Sequence, residues 1–282
     1  MKALRTPVSF EFFPPRDEEQ ALILRSTWQK LARLKPRYLT VTFGAGGSAQ
    51  HATHTTVAEL LELSGVPVAP HISCMAPDLE TLDSLLRAYR DAGVHRLVVL
   101  RGDRPDGQAV AGPFRYASEL VRHVQQSFPG VFSIEVACYP EKHPESPSMD
   151  SELHYFGEKV RAGANAAITQ YFFDDGAYFR FVERCRAAGL DLPITPGIMP
   201  ITNYTQLARF SARCGARIPA GLASRLEAFG DDGASIREYG LDVVTTLCER
   251  LLAGGAPGLH FYTLNRANAS MRIWQRLVEA GW

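Results

Sequence analysis

The chain has 282 residues, a length that suits one (β/α)8 barrel or two smaller domains. Lys plus Arg and Asp plus Glu number 30 each, so no basic excess points to nucleic acid or to an anionic membrane surface, and the expected partners are small molecules. Cys74, Cys138, Cys185, Cys214 and Cys248 are scattered and form no C-x-x-C pair, which argues against a disulfide framework or a zinc site; with no signal-peptide core and no membrane-length apolar run, the expectation is a soluble, cytoplasmic protein.

The first element is Val8-Ser9-Phe10-Glu11-Phe12-Phe13, a run fit for a buried strand and stopped by Pro14 and Pro15. Glu11 is its exception, because a carboxylate is rarely buried unless it is paired or working. Further strands are predicted at 38–43, 67–73, 96–101, 133–139, 166–173, 193–199 and 259–264. Between them, helical apolar spacing covers 18–34, 53–63, 79–92, 116–127, 151–162, 177–188 and 204–213. The interval 201–258 is too long for one crossover, and Ile236, Tyr239, Val243, Val244, Leu247 and Leu251 mark an amphipathic helix within it. A last helix spans 268–279. This rhythm predicts an α/β fold, a (β/α)8 TIM barrel with extra helices before strand eight, built as a single domain from residues 1–282.

Barrel strands are expected to be apolar on both faces, which makes their polar residues informative. These collect near C-terminal ends: Glu11, Thr40 and Thr42, His71 and Ser73, Arg101 before Asp103, Tyr139 before His143, Thr169 and Gln170, then Thr263, Asn265 and Arg266. None of the five lysines (Lys2, Lys30, Lys35, Lys142, Lys159) lies in a predicted strand, which argues against a Schiff-base aldolase. Glu11, His71, Asp103 and His143 leave open a metal-dependent lyase or hydrolase, although no H-x-H or H-x-x-x-H pair supports one. Each residue also has a structural reading: Glu11 as a rim carboxylate paired with an arginine, Asp103 as a turn or N-cap residue, His71 as a core histidine, Gln170 as a barrel hydrogen bond, and Gly44 to Ser48 as a plain βα turn.

Several ordered motifs resemble the methylenetetrahydrofolate reductase family in its bacterial, catalytic-domain-only form. They are Ser9-Phe10-Glu11-Phe12-Phe13-Pro14-Pro15, Val41-Thr42-Phe43-Gly44-Ala45, Leu100-Arg101-Gly102-Asp103, Tyr139-Pro140-Glu141-Lys142-His143-Pro144-Glu145, Ile168-Thr169-Gln170, Pro196-Gly197-Ile198-Met199-Pro200 and His260-Phe261-Tyr262-Thr263-Leu264-Asn265-Arg266. The resemblance implies an FAD enzyme that takes hydride from NADH or NADPH and then, in a ping-pong cycle, reduces 5,10-methylenetetrahydrofolate to 5-methyltetrahydrofolate, supplying methyl groups for methionine synthesis, or runs the reverse oxidation.

By the same resemblance Glu11 is the general acid, and Asp103 stands between flavin and pterin, stabilising the cationic iminium. Thr42, Phe43, Ala45, His71, Arg101, Gly102, Asp103, Tyr116, Ala117, Tyr139, His143, Ser146, Glu152, Tyr155 and Lys159 fall on cofactor-contact positions, with Lys159 near phosphate. Gln170, Gln206, Phe210 and Arg266 fall on folate contacts. Departures sit along the fifth helix, where Glu152, Tyr155 and Glu158 replace common Asp, Asn and Arg, and at Ser146, commonly Ala, so the adenylate half of FAD is expected to be held differently. The resemblance also implies a homo-oligomer, and no S-adenosylmethionine inhibition, since the regulatory region of longer eukaryotic relatives has no counterpart.

Overall fold

In a computed structural model, residues 6–43, 47–102 and 112–282 are described, with side chains omitted for 47–50. The strands are β1 (Val8–Phe12), β2 (Tyr38–Val41), β3 (Val68–Ser73), β4 (Arg96–Leu100), β5 (Ser133–Cys138), β6 (Ala166–Thr169), β7 (Ile194–Thr195), β8 (Gly197–Ile198) and β9 (Leu259–Tyr262). All pair in parallel, in the order β7-β6-β5-β4-β3-β2-β1-β9-β8. The two ends of that order are adjacent in sequence, so the chain itself closes the ring and the expected barrel is present. Pro196, with no N–H to give a ladder, divides the expected seventh strand: β7 pairs with β6, and β8 pairs with β9. Gly197 is required there, because a Cβ would stand 2.3 Å from the Thr169 carbonyl oxygen.

Ten helices surround the barrel among the described residues: α1 (Glu18–Leu31), α2 (Gly47–Ser64), α3 (Leu79–Asp91), α4 (Ala117–Ser127), α5 (Met149–Arg161), α6 (Asp175–Ala187), α7 (Tyr204–Cys214), α8 (Ala220–Ala228), α9 (Gly233–Ala253) and α10 (Ala267–Glu279). Short polar side chains start many of them: Asp17, Asp78, Ser148, Asp174, Asn203 and Asp232 each accept from a first-turn amide. Several assignments differ from expectation. α2 begins at Gly47 rather than at residue 53, because its weak helix formers read as loop. α8 has only Leu222 and Leu226 buried, too few anchors for a periodic signal. The sixth strand ends at Thr169 rather than residue 173, since Tyr171 and Phe172 leave the sheet and stay buried, the Phe172 ring stacked on Tyr178.

Strand alternation sorts the side chains. Phe10, Phe12, Leu39, Val41, Leu97, Val99, Ile134 and Val136 pack in the large core that includes the helices, whereas Tyr38, Ala69, Val98 and Ile168 form a separate small cluster. The expectation of two apolar faces is corrected for the inner one. Tyr38 donates to Glu135 Oε2 at 2.7 Å, Arg96 pairs with the other Glu135 oxygen, and the Arg96 guanidinium lies over the Tyr38 ring. Glu135 is 2% exposed. Tyr38 is in register with Ser9, and Thr40 with Glu11, so this buried network forms a polar layer beneath the mouth.

Candidate active site

Period-two alternation turns Ser9 and Glu11 of β1 to the same side, and register sets Ser9 beside His260 and Glu11 beside Tyr262 of β9. Glu11 is 6% exposed, and its Oε2 stands 3.4 Å from His71 Nε2 and 3.8 Å from His260 Nε2. His260 Nδ1 is engaged by the Ser9 hydroxyl at 2.8 Å, which fixes the ring with Nε2 towards the carboxyl. Neither Nε2 has a hydrogen-bond partner among the described residues. Burial pushes the His71 imidazole down to about 4, only partly offset by Glu11, so it is neutral at pH 7. Thr263 Oγ1 donates to the Glu11 carbonyl at 2.6 Å. Tyr262 meets the His260 ring edge-on and donates its hydroxyl to the Thr169 carbonyl at 2.7 Å; burial, reinforced by Glu11, raises its pKa well above that of a free phenol.

No Lys or Arg forms an ion pair with Glu11 among the described residues. One layer below, the buried carboxylate of Glu135 pairs with Arg96. A buried carboxyl at the C-terminal mouth with two imidazole nitrogens 3.4 and 3.8 Å away is suited to exchanging a proton with a bound molecule.

Beside this mouth, at the ends of β4 and β5 and the starts of α4 and α5, lies a cleft of about 340 Å³. Ten of the residues expected to contact a cofactor line it: Arg101, Gly102, Tyr116, Ala117, Tyr139, His143, Ser146, Glu152, Tyr155 and Lys159. Gly102 has φ +87°, and a Cβ would stand 2.6 Å from Met75 Cγ, so only glycine leaves this wall open. Arg101 makes two 2.7 Å bonds to Glu145, and Lys159 Nζ donates to the Ala137 carbonyl at 2.6 Å. Burial lowers the Lys159 pKa, with Glu152 the largest opposing influence. Glu152, 3% exposed, accepts from Ser146 Oγ at 2.7 Å and from the His143 amide at 3.2 Å. At the lip Tyr116 and Tyr155 stack at 5.5 Å with 21° between planes. Two cations, a side-chain-free wall and an exposed aromatic stack fit a phosphate-linked cofactor with a planar base. A phosphate reaching Arg101 must exchange with Glu145, whose side chain is 49% exposed.

The chain matches the family profile described as methylenetetrahydrofolate reductase over residues 1–278. It belongs to the methylenetetrahydrofolate reductase family. A member named 5,10-methylenetetrahydrofolate reductase, from Escherichia coli (strain K12), is 39% identical over 270 residues, covering 96% of this chain and 90% of the relative. Methylenetetrahydrofolate reductase (NADH) 1 of Arabidopsis thaliana is 36% identical over 286 residues, covering 97% of this chain; the chain spans about half, 48%, of that plant relative. Two solved structures share the fold. One is an uncharacterised Clostridium thermocellum protein that binds two copies of 5-methyl-5,6,7,8-tetrahydrofolic acid (TM-score 0.67, 15% identity, 98% and 96% coverage). The other is dihydropteroate synthase from Xanthomonas albilineans in complex with 7,8-dihydropteroate (TM-score 0.52, 13% identity, 98% and 93% coverage).

The residues expected for methylenetetrahydrofolate reductase do not all converge on the cleft. His71 sits beside Glu11. Thr42 follows β2, its carbonyl accepting from Thr53 Oγ1 at 3.0 Å, and Phe43 packs beside Ile72 and Ser73. Gln170 turns its carbonyl onto the Tyr171 amide at 3.0 Å. Gln206 and Phe210 lie on α7, with the Arg209 guanidinium over the Phe210 ring. Arg266 caps α10 and lines a different cavity. Asp103 and Ala45 lie outside the described residues; among the described residues no group of three or more His, Cys, Asp or Glu is arranged to hold a metal ion. No described helix is long and apolar enough to cross a membrane. Ser9, His260, Tyr262 and Glu145 received no role from the sequence. The available signal for His260 was parity: in Leu259–Tyr262 it alternates with Phe261, the residue packed in the outer core.

Proposed function

We propose that the chain reduces 5,10-methylenetetrahydrofolate to 5-methyltetrahydrofolate, with FAD as redox carrier and NADH or NADPH as electron donor, the oxidised nucleotide leaving before folate enters. One observation carries this reading: in a chain of this family, the buried Glu11 carboxyl stands at the mouth 3.4 and 3.8 Å from two imidazole nitrogens that have no hydrogen-bond partner among the described residues. Arg101 and Lys159 would hold the diphosphate, and Tyr116 with Tyr155 would flank the adenine. When bound, the flavin supplies a carrier that accepts and donates hydride.

Glu11 gives a proton to the bridging nitrogen of the folate's five-membered ring. Ring opening then leaves an iminium carbon on the folate, ready for hydride. Asp103, placed by resemblance alone, stabilises that cation. His71, neutral, keeps positive charge out of the layer beside Glu11, and Ser9 orients His260 against the same carboxyl. Gln170, Gln206, Phe210 and Arg266 hold the folate, Gln170 serving nicotinamide in the other half-cycle. The product serves methyl-group supply.

The test is anaerobic spectroscopy of the purified protein. Flavin absorbance should bleach with NADH or NADPH and return on adding methylenetetrahydrofolate. A protein that takes up no flavin, or whose reduced flavin is not reoxidised by the folate, refutes the reading.

A further inference from the structure

The polar layer at the base of the barrel is joined to the mouth through Ser9. On β1, Ser9 is the register partner of Tyr38 on one side and of His260 on the other. Its hydroxyl lies 2.8 Å from His260 Nδ1. It also acts on Tyr38: burial raises the phenol's pKa, Glu135 adds to the rise, and a hydrogen bond from the Ser9 hydroxyl opposes it. Tyr38 in turn donates to Glu135 Oε2 at 2.7 Å, while Arg96 holds the other oxygen. Ser9, Tyr38, Glu135 and His260 are all buried, and Tyr38 packs with apolar Ala69, Val98 and Ile168, so water does not compete for these bonds.

Each link of this chain has a direction. Glu135, tied to an arginine that keeps its charge, can only accept. Tyr38 therefore commits its one proton to Glu135 and presents its oxygen to Ser9. Ser9 turns its own proton towards Tyr38 and accepts from His260, which requires the imidazole proton on Nδ1. A neutral imidazole has one such proton, so Nε2, 3.8 Å from Glu11 Oε2, is left bare. The unpartnered buried atoms fit this polarity: His260 Nε2, His71 Nε2 and Thr40 Oγ1 have no partner among the described residues, and Thr40 is the register partner of Glu11. The open hydrogen-bonding positions thus gather at the level of Glu11, whereas Ser9, Tyr38 and Glu135 below it are all engaged.

We infer that the Arg96–Glu135 pair, acting through Tyr38 and Ser9, fixes the His260 proton on Nδ1 and so turns a bare nitrogen lone pair, not an N–H, towards the Glu11 carboxyl. The inference rests on the general-acid reading of Glu11 above. A lone pair accepts from a protonated carboxyl and repels a carboxylate, and an Nε2–H would do the reverse. The proton that Glu11 gives to the folate nitrogen is therefore kept in place from the opposite end of the barrel, and Tyr38, Glu135 and Arg96 are positioning residues for it. The other titratable groups described against Glu11 do not supply this control. His71, on β3, is neutral at pH 7, and Tyr262, on β9, donates its hydroxyl to the Thr169 carbonyl.

The experiment uses Tyr38→Phe in the whole, FAD-loaded protein. This variant keeps the ring and frees the Ser9 proton to turn to His260 Nδ1. Nitrogen NMR of histidine-labelled protein reads the tautomer, the His260 signals being assigned by their loss in His260→Asn. Stopped flow reads the pH dependence of flavin reoxidation by methylenetetrahydrofolate. Wild type should show Nδ1 protonated and Nε2 bare, and Tyr38→Phe should move the proton to Nε2. The midpoint above which reoxidation slows should fall by about one pH unit, a loss of about ten-fold above both midpoints that disappears as the pH is lowered. Reduction of the flavin by nicotinamide should not change. Ser9→Ala breaks the same link without touching the ion pair and should shift tautomer and midpoint alike, and Ser9→Thr should restore both; this pair decides the matter if Tyr38→Phe does not fold. A wild-type ring protonated on Nε2, the same tautomer in wild type and variants, or a rate loss equal at every pH overturns the inference with the functional reading intact. A wild-type flavin that the folate does not reoxidise at any pH refutes that reading, and the inference with it.

Discussion

Ser146→Ala removes the shorter of the two hydrogen bonds on Glu152 Oε2, the 2.7 Å bond from Ser146 Oγ, leaving the 3.2 Å bond from the His143 amide. The carboxylate is 3% exposed, so water does not replace the lost donor without rearrangement. A hydrogen bond to such a charged group is worth about 1.5–3 kcal/mol, or roughly ten- to a hundred-fold in an equilibrium constant. Ser146 and His143 both line the cleft, so the loss divides between the fold and the affinity of the cofactor-binding segment. Urea unfolding of the apo-protein measures the first share, and a flavin-fluorescence titration with FAD measures the second. Their sum should reach about 1.5–3 kcal/mol, and the Glu152→Gln background should shrink it, since the hydroxyl then serves a neutral amide. A Ser146→Ala protein within about 0.5 kcal/mol of wild type in both assays would show that the pair does not support the cleft, and that Ser146 and Glu152 are independent departures from the family.

Glu11→Gln should leave reduction of the flavin by nicotinamide nearly intact and slow folate reduction by about 10²- to 10⁴-fold; equal loss in the two half-reactions, read by stopped flow, would make Glu11 structural. His71 titrates near 4 when folded and 6.5 when unfolded. The unfolded chain therefore binds the extra proton between those values, and stability is lost as pH falls through that window, by up to about 3 kcal/mol. Urea titrations from pH 7.5 to 4.5 (~0.5 pH steps) should show this slope, and His71→Asn should flatten it; an unchanged slope removes His71 as its source. Arg96→Met leaves Glu135, 2% exposed, without its cation and should cost about 3–5 kcal/mol. Arg96→Met/Glu135→Gln should recover much of that, and a single variant as stable as wild type would mean the network contributes little.

The alternation of short apolar runs with helical spacing is a local property, and it is why eight βα repeats and their closure into a barrel were legible in the chain. Parity within one strand was equally local: Phe10 and Phe12 alternate with Glu11, so the carboxyl had to face the opposite side from the helices. The motifs at the ends of β4 and β5 each span only a few positions, and the resemblance they carry also pointed to Tyr155 and Lys159 of α5, which line the same cleft.

What the sequence left undecided were partners that only packing brings together. Ser9 and His260 are 251 residues apart and Arg101 and Glu145 are 44 apart, and no local pattern records either meeting. Strand ends fared worst where apolar residues continue off the sheet, as at Tyr171 and Phe172, since burial beneath a helix and burial in a strand ask for the same side chains. Pro196 was visible in the sequence, but its division of one strand between two neighbours depends on how the ring closes. The cavity lined by Arg266 is likewise absent from any one segment. It exists because α1, α9 and α10 pack with Leu22 and Ile23 left uncovered, and only the tertiary structure decides which face of an amphipathic helix finds a partner.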